Sequence, residues 1–379
     1  MFALLLAHSF NGPPFTVGIE EELMILDPEG WDLAQAINTI LGDLPPELEG
    51  QVHPELFQSV LEIATPPCPD LRTAAAELTR MRTQVEAVAD AHNLRIAAAG
   101  THPFARWEDQ KVVDKERYHN LVDQLRYVVK QEIVFGTHVH VAIEGADRAI
   151  YVADGIRRYL PLLLALSANS PYWRGEPTGM MSTRTPVFRQ FPRVGIPPHY
   201  GTWEIFSNRI ELMMRAGAIE DYTFLWWDVR PHPKLGTVET RIYDQQTRVE
   251  HTISLAALTI CLAHRYASRY DAGEPLVEYP TELIDDNKIR AARHGIDGQL
   301  IDFRAGRRVP APEMVRELIE LLHPDADELG CRAELDGIED LLAHGTGSHR
   351  QIALAEENGN DLRALTAEIV ARTHPQSPA

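Results

Sequence analysis

The sequence predicts an α+β fold built on an antiparallel β-sheet, with a helical portion at its C-terminal end. Segments with strand character are not interleaved evenly with helices, and no glycine-rich dinucleotide fingerprint follows any of them. Beyond Tyr279 the pattern is helical and more charged. Regular alternation would favour a parallel sheet instead. We therefore predict one domain over residues 1–379, with a sheet-plus-helix core at 15–270 and a helical portion packed on it at 271–372.

The composition is that of a soluble globular protein, and it argues against several kinds of partner. The net charge of −19 disfavours nucleic acid and anionic membranes, because both bind clustered positive charge. The apolar stretch Phe2–Ala7 is short and follows no basic residue, and no apolar run approaches membrane-spanning length. The three cysteines are far apart, which is typical of a reducing compartment. The sequence therefore predicts a cytoplasmic protein.

The first predicted strand, Phe15–Leu26, carries three consecutive acids among apolar residues. Side chains alternate across a strand, so Glu20 and Glu22 share one face and Glu21 points to the other. Two carboxylates ~4 Å apart repel by about 1 kcal/mol in water and by about 4 kcal/mol at an effective dielectric of 20. A fold that keeps this pair near its core needs a cation there. An edge strand with a solvated acidic face explains this stretch equally well.

A second strand segment, Val52–Ala64, adds two more acids. Glu55 and Glu62 are an odd number of residues apart, so a straight strand would place them on opposite faces. A bulge, or a turn at His53-Pro54, is needed to bring both side chains to one site.

Two histidines lie on the strand predicted at Tyr127–Ile143, which follows a short buried strand at Leu94–Ala99. His138 and His140 are two residues apart and therefore share one face. Imidazoles bind zinc and manganese, and they can complete a shell of carboxylates around magnesium or manganese. A pair of hydrogen-bonded histidines in the core is the alternative.

The segment Asn169–Tyr200 is rich in proline, glycine, hydroxyl residues and arginine. A loop of this length in a compact domain is usually functional, and we interpret it as a mobile lid. Its stretch 182–185 places Ser182 next to Arg184, with three further arginines in the same segment. Hydroxyls beside arginines suit phosphate or carboxylate capture. A solvated basic loop is the alternative.

A hairpin is predicted from Phe224–Arg230 and Gly236–Tyr243, joined by a turn at Pro231–Lys234. On its second strand Glu239 and Arg241 share a face, opposite apolar neighbours. By itself, such a pair is most often part of a cross-strand ion pair.

Apolar periodicity predicts the helices of the chain. The first of them begins at Asp70, a residue type favoured as N-cap. The predicted helices are Asp70–His92, Ala149–Ala168, Thr202–Ala216, Thr247–Tyr270, Thr281–Arg293, Pro312–Leu322, Asp327–Ala343, His349–Glu357 and Asn360–Arg372. The tail Thr373–Ala379 is predicted to be disordered.

Four strand segments thus carry an acid, a histidine or an arginine at alternate positions, with apolar residues between them. This pattern is typical of a sheet with one face on the core and the other lining a polar funnel. Together, such side chains would hold hard divalent cations such as Mg²⁺, which prefers oxygen ligands. The candidates are Glu20, Glu22, Glu62, His138 and Glu239. Nearby arginines would neutralise a transferring phosphoryl group, although the chain has no P-loop and no Gly-x-Ser-x-Gly elbow.

These motifs resemble those of the glutamate–cysteine ligase type 2, or YbdK-like carboxylate–amine ligase, family of the glutamine synthetase-like superfamily. The matching stretches fall in family order and span most of residues 15–270. They are GIEEELMILD (18–27), ELFQSVLEIATPPC (55–68), GTHVHVAI (136–143), LSANSPYWRGEPTGMMSTRTPVF (166–188) and WDVRPHPKLGTVETRIYD (227–244). The helical C-terminal third is similar in character rather than through sharp motifs.

The resemblance implies a funnel-shaped active site on the antiparallel sheet, covered by helices, that binds ATP and Mg²⁺ (or Mn²⁺). It implies an ATP-dependent ligase that converts a substrate carboxylate into an acyl phosphate, which an amine attacks to give an amide. Glutamate and cysteine are the default substrates, and a homodimer is common among similar proteins.

The resemblance also implies roles for particular residues. The metal-ligand positions of the family carry over to Glu20, Glu22, Glu55, Glu62, His138 and Glu239. His140 falls where related ligases place a second polar group. Arg241 and Arg184 match arginines expected near phosphate and substrate, and Ser182 lies beside the second of them.

A metal-lined funnel is compatible with two other functions. Metal ions can activate water against an amide, so a hydrolase or deamidase on the same scaffold is the first alternative. The second is a non-catalytic binding protein that keeps the fold without the chemistry. No motif in the sequence separates a hydrolase from a ligase.

Overall fold

The structure is a computed structural model and describes residues 6–375. Its strands are β1 (Val17–Leu26), β2 (Val52–Pro54), β3 (Val60–Ala64), β4 (Arg95–Ala97), β5 (Gly136–Ala142), β6 (Tyr172–Trp173), β7 (Glu176–Pro177), β8 (Val194–Gly195), β9 (Trp226–Trp227), β10 (Val229–His232), β11 (Thr237–Asp244), β12 (Gln299–Asp302) and β13 (Arg307–Pro310). Its helices are α1 (Ile37–Gly42), α2 (Leu71–Ala91), α3 (Glu116–Leu125), α4 (Tyr127–Lys130), α5 (Ala146–Ile156), α6 (Leu160–Ser167), α7 (Arg184–Phe188), α8 (Trp203–Arg215), α9 (Val249–Asp271), α10 (Thr281–His294), α11 (Ala311–Leu329), α12 (Arg332–Asp336), α13 (Ile338–His344), α14 (Gly347–Glu357) and α15 (Leu362–Thr373).

Seven strands form the central sheet, in the order β10-β11-β5-β1-β3-β2, and β4 pairs with the C-terminal end of β1. Every pairing in this sheet is antiparallel. The predicted α+β class and its antiparallel sheet are therefore confirmed. Between residues 6 and 375, every helix is either too short or too polar to span a lipid bilayer.

The two faces of β1 meet different surroundings, as strand alternation requires. Ile19, Leu23 and Ile25 are buried in the main hydrophobic core, together with side chains of α2, α5, α6 and α9. Full burial of each such side chain contributes about 1.5–3 kcal/mol. Glu20 and Glu22 face the other side of the sheet and keep partial exposure. The apolar row therefore fixes which acids face the polar side.

Glu21 points into the core, where Arg82 of α2 is its partner. The guanidinium donates from Nε to Oε2 and from Nη2 to Oε1, both at 2.8 Å, and both side chains are fully buried. Thr252 of α9 also donates to Oε1, at 2.7 Å. Arg82 reaches three backbone carbonyl oxygens as well, those of Gln246, Thr247 and Thr373. One buried arginine thus joins the central strand and α2 to the segment before α9 and to the end of α15.

Three of the strand predictions are wrong in their boundaries. The strand predicted at Tyr127–Ile143 begins at Gly136, because Tyr127–Lys130 forms the helical turn α4. In the predicted hairpin, His232 pairs with Thr237, so the turn lies two residues later than expected. The segment Val52–Ala64 is not one strand, since residues 55–59 form an irregular turn between β2 and β3.

The helix predictions are closer to the structure. The side chain of Asp70 caps α2 by accepting from the backbone N–H of Thr73 at 2.7 Å, as predicted. The helix predicted at Ala149–Ala168 divides into α5 and α6, with Pro161 in the first turn of the second. Proline lacks the N–H that would continue a helical ladder, which accounts for a break at this place.

The helices after residue 280 pack on the core. Lys288 of α10 donates to both carboxylate oxygens of Asp228, at 2.9 and 2.7 Å, and both side chains are buried. At the end of α15, the hydroxyl of Thr373 accepts from the backbone N–H of Ala98 at 2.9 Å. Thr373 therefore belongs to a helix and not to the tail predicted to be disordered. The part of that tail beyond residue 375 lies outside the described residues, as does most of Phe2–Ala7.

Replacing Arg82 with methionine should destabilise the domain strongly. The variant R82M leaves the Glu21 carboxylate buried without its cation, and breaking a buried ion pair in this way costs about 3–5 kcal/mol. Urea unfolding should show a loss of that size in the free energy of unfolding. R72M removes an exposed arginine from the same helix and is the matched control. Equal stability of the two variants would contradict the role given to Arg82.

Candidate active site

Except for Glu55, the acids and histidines predicted as ligands lie side by side on the polar face of the central sheet. They belong to β3, β1, β5 and β11, and strand register aligns them in cross-strand pairs, whereas Glu55 lies in the turn between β2 and β3. These pairs are Glu22–Glu62, Glu20–His138 and Glu239–His140. Directly opposed side chains in a sheet have Cβ atoms about 4.5–5.5 Å apart, so the pairs are within reach of a shared ion.

Atoms suited to bind a metal form two groups within residues 6–375, and His138 belongs to both. One group consists of Glu20, His138 and Glu239, and the other of Glu22, Glu62 and His138. In each group, one oxygen or nitrogen atom per residue lies within 4.8 Å of the others. Two carboxylates with an imidazole form a donor set that suits Mn²⁺ and, with water, Mg²⁺.

The group around Glu62 is short of positive charge. Burial raises the pKa of Glu62 well above its ordinary value, and the carboxylate of Glu20 raises it further. Burial and the charge of Glu22 raise the pKa of Glu55 to about 7. Nε2 of His138 is buried without a hydrogen-bond partner, 3.9 Å from Oε1 of Glu22. A divalent cation would supply charge and occupy this nitrogen, so the residues fit the expected metal.

The group around Glu239 has basic neighbours. Glu239 accepts from Nε and Nη2 of Arg230, at 2.6 and 3.3 Å, and from Nη1 of Arg241. Burial opposes the ionisation of Glu239, but these two guanidinium groups hold its pKa well below the ordinary value. Burial also opposes the ionisation of Glu20, but the neighbouring His140 holds the pKa of Glu20 well below its ordinary value. Nε2 of His140 lies 3.2 Å from Oε1 of Glu20. The need for an added cation is therefore greatest at the group of Glu22, Glu62 and His138.

An open pocket of about 820 Å³, measured out to its mouth, reaches the ligand group of Glu22, Glu62 and His138 through Glu22. Glu22, Glu55, Arg184 and Arg241 contribute to its polar lining. Aromatic side chains contribute much of the remainder, and they are Phe57, Phe188, Phe191, Phe224 and Trp226. This mixture of a few polar groups with apolar walls is typical of small-molecule sites.

Arg184 enters the pocket over the start of β5, where Gly136 leaves room for it. A Cβ atom at position 136 would lie 2.9 Å from Cζ of Arg184, which is closer than such atoms approach. The guanidinium lies 3.4 and 3.5 Å from the carbonyl oxygens of Arg241 and Ile242. The N–H of Gly136 donates to Oε2 of Glu22 at 2.5 Å. Gly136 therefore positions an arginine and an acid of the site together.

Ser182 lies outside the pocket lining. Its hydroxyl is fully buried and donates to Oδ1 of Asp244 at 2.8 Å. Oδ2 of Asp244 accepts from the N–H of Asn169 at 2.9 Å and from the hydroxyl of Ser170 at 2.6 Å. The segment 169–200 is therefore not an irregular loop, because a buried acid holds it at both places and it contains α7 and β6–β8.

Of the arginines in this segment, Arg184 alone lines the pocket in the part of the chain that the structure describes. The others contact different partners. Arg174 pairs with Glu108 at 2.8 Å, Arg189 pairs with Asp285 at 2.6 Å, and Arg193 donates to the carbonyl oxygen of Phe224 at 3.1 Å.

Comparison with known families and proteins gives matches over most of the chain. The family described as Glutamate-cysteine ligase family 2 (GCS2) matches residues 16–368. The chain belongs to this family. Its predicted membership is confirmed, and so is the predicted activity class, an ATP-dependent carboxylate–amine ligase. GCS2 ligases act on amino acid substrates.

Individual relatives extend the GCS2 match. A Rubrobacter xylanophilus protein described as "Putative glutamate--cysteine ligase 2-1" is 43% identical over 361 residues, which are 95% of each chain. A Sorangium cellulosum protein described as "Putative glutamate--cysteine ligase 2" is 41% identical over 342 residues, 90% of this chain and 91% of its own.

A solved structure supports the fold. The crystal structure of glutamate–cysteine ligase from Francisella tularensis in complex with AMP matches with a TM-score of 0.71 and 15% identity, over 98% of this chain and 91% of that one. At this identity the likeness concerns the fold alone. It agrees with the predicted antiparallel sheet covered by helices.

Two notable residues of this GCS2 site are missing from the sequence-based predictions. Arg230 is opposite Glu239 in the β10–β11 register, and a turn placed two residues too early concealed that pairing. Glu132 lines the pocket, and it lies just after α4 in a stretch that was predicted as strand. A correct placement of the hairpin turn would have put Arg230 opposite Glu239 and so identified it as a site residue.

Replacing Asp244 with asparagine should loosen the segment 169–200. The side-chain NH₂ of asparagine would face N–H and O–H groups that now donate to a carboxylate oxygen. Each buried group left without a hydrogen bond costs about 1–3 kcal/mol. D244N should lower the free energy of unfolding and speed proteolysis near the exposed tip at 174–177. D109N, at an exposed aspartate, is the control. Unchanged proteolysis of D244N would show that this acid does not anchor the segment.

Proposed function

We propose that the chain uses ATP to phosphorylate the side-chain carboxylate of glutamate and joins the resulting acyl group to an amine, with cysteine as the default acceptor. The observation that carries this proposal is the pair of ligand groups that share His138 beside a pocket lined by Arg184 and Arg241. The glutamate–cysteine ligase names of the relatives supply the two substrates.

Glu20, Glu22, Glu62, His138 and Glu239 would hold divalent cations, Mg²⁺ or Mn²⁺. When bound, these ions screen the repulsion between the phosphates of ATP and a substrate carboxylate. Glu55 and His140 lie beside the two ligand groups rather than in them, and we propose supporting roles for both. The orphaned Nε2 of His138 and the raised pKa of Glu62 support a cation between β1, β3 and β5.

The arginines act on the transferred phosphoryl group. Arg241 donates to Glu239 and lies 3.4 Å from Nδ1 of His138, so its charge is fixed at the edge of the ligand groups. Arg184 lines the pocket, and its buried Nε atom has no hydrogen-bond partner. Guanidinium groups held in this way neutralise charge that develops during phosphoryl transfer. Arg241 and Arg184 are therefore the proposed catalytic and nucleotide-binding residues.

An acyl phosphate must be kept from water until the amine arrives. Phe188 and Phe191 belong to the segment that Asp244 anchors, and both line the pocket. We propose that this segment covers the bound substrates with its aromatic side chains. The homodimer and the cytoplasmic location expected from the sequence stay predictions.

Removing one metal-ligating carboxylate should abolish turnover and leave the fold intact. E62Q takes a negative charge from a crowded anionic site, so we expect its unfolding midpoint at or above that of the wild type. E20Q also loses a carboxylate that His138 and His140 contact, so a modest decrease in its midpoint is expected. Mn²⁺ binding, followed by electron paramagnetic resonance, should weaken in both variants. E29Q, at an exposed turn, is the control. Near-normal activity of both site variants would refute the metal assignment.

Glu239 is a less suitable position for this test. Its carboxylate balances the buried guanidinium of Arg230, so E239Q would also affect stability. A loss of activity in that variant would not distinguish metal binding from folding.

The products should depend on both substrates. ADP and inorganic phosphate are expected to accumulate only when Mg²⁺, ATP, glutamate and an amine are all present, because the amine completes the turnover. A coupled phosphate-release assay over substrate pairs measures this requirement. Cleavage of an amide without ATP would instead indicate hydrolysis on the same scaffold and would refute the proposed reaction.

A further inference from the structure

Glu132 is a half-buried acid in the pocket that the proposed reaction leaves without a role. The flanking Val129 and Ile133 are fully buried, so the backbone on both sides of Glu132 is held by packing. Its Oε2 atom is buried and has no hydrogen-bond partner. Within residues 6–375 it belongs to neither ligand group. A carboxylate oxygen left free in this way is available to a ligand, because buried polar atoms are normally paired.

The surroundings make this carboxylate unusually basic. Burial raises the pKa of Glu132 to about 8, the charge of Glu22 adds to the effect, and Arg184 opposes it. Val134, Phe188 and other apolar side chains line the same pocket. A nearby cation favours the ionised form of such a group, and the resulting carboxylate is basic enough to accept a proton near neutral pH. Aromatic walls favour a cation further.

An amine acceptor needs such a base. A primary alkylamine reaches the enzyme at neutral pH as an ammonium ion, which has no lone pair for attack on an acyl carbon. The nitrogen must therefore lose a proton inside the pocket. Neither Arg184 nor Arg241 can take it, because a guanidinium is already protonated.

We propose that Glu132 binds the ammonium group of the acceptor and takes one proton from it before attack. The freed lone pair forms the bond to the acyl carbon, and the carbon–oxygen bond to phosphate breaks with its electrons on the phosphate oxygen. The second proton of the nitrogen leaves with the phosphate. This inference rests on the proposed function, and it assigns recognition of a primary ammonium to the Glu132 side of the pocket.

The test compares two nucleophiles in the variant E132Q, with ATP, Mg²⁺ and glutamate present. With cysteine, kcat/KM for the amine should fall by about 100-fold or more, the range of general-base contributions. Hydroxylamine is unprotonated at pH 7 and needs no base, so hydroxamate formation by E132Q should stay within about threefold of wild type. E132D keeps a carboxylate and should retain more of the cysteine reaction than E132Q.

The controls separate this inference from the proposed function. E116Q, at an exposed position at the start of α3, should leave both reactions unchanged. Equal loss of both reactions in E132Q, or no loss in either, would overturn the role of Glu132 while the ligase reaction stands. A wild-type enzyme that forms no hydroxamate would overturn the proposed function and this inference with it.

Discussion

The three consecutive glutamates of β1 place the strongest constraint on this structure. A shift of register by one residue would exchange the two faces of the strand. It would turn Glu20 and Glu22 into the apolar core and would move Glu21 away from Arg82, its partner at 2.8 Å. Each buried acid needs a positive charge nearby. On the core face of β1 Arg82 supplies it, and on the polar face two groups of side chains are placed to bind metal ions. Core packing and the site are thus specified by the same alternation.

Local rules predicted the parts of the site that lie on single strands. The shared faces of Glu20 with Glu22 and of His138 with His140 follow from a period of two residues, whatever the surroundings. The N-cap at Asp70 is equally local, since it depends on a backbone N–H three residues away. The family resemblance then connected these strands, and comparison with known proteins confirmed the fold and the activity class.

Long-range contacts were beyond the reach of sequence pattern. Arg82 meets the carbonyl oxygen of Thr373, 291 positions later in the chain, and nothing near either residue signals that contact. Ser182 has the composition of a phosphate site, but its hydroxyl is bound by Asp244, 62 positions away. The position of Glu132 depends on the break between α4 and β5, which the apolar pattern of that stretch concealed.

The most direct test of the account is anomalous diffraction from crystals of the protein grown with Mn²⁺ and ATP. Manganese peaks should lie at both ligand groups, between Glu20, His138 and Glu239 and between Glu22, Glu62 and His138, at about 2.0–2.6 Å from their oxygen and nitrogen atoms. Peaks at neither group, with the carboxylates turned toward solvent or toward arginines alone, would contradict the claim that side chains of β1, β3, β5 and β11 together bind divalent ions.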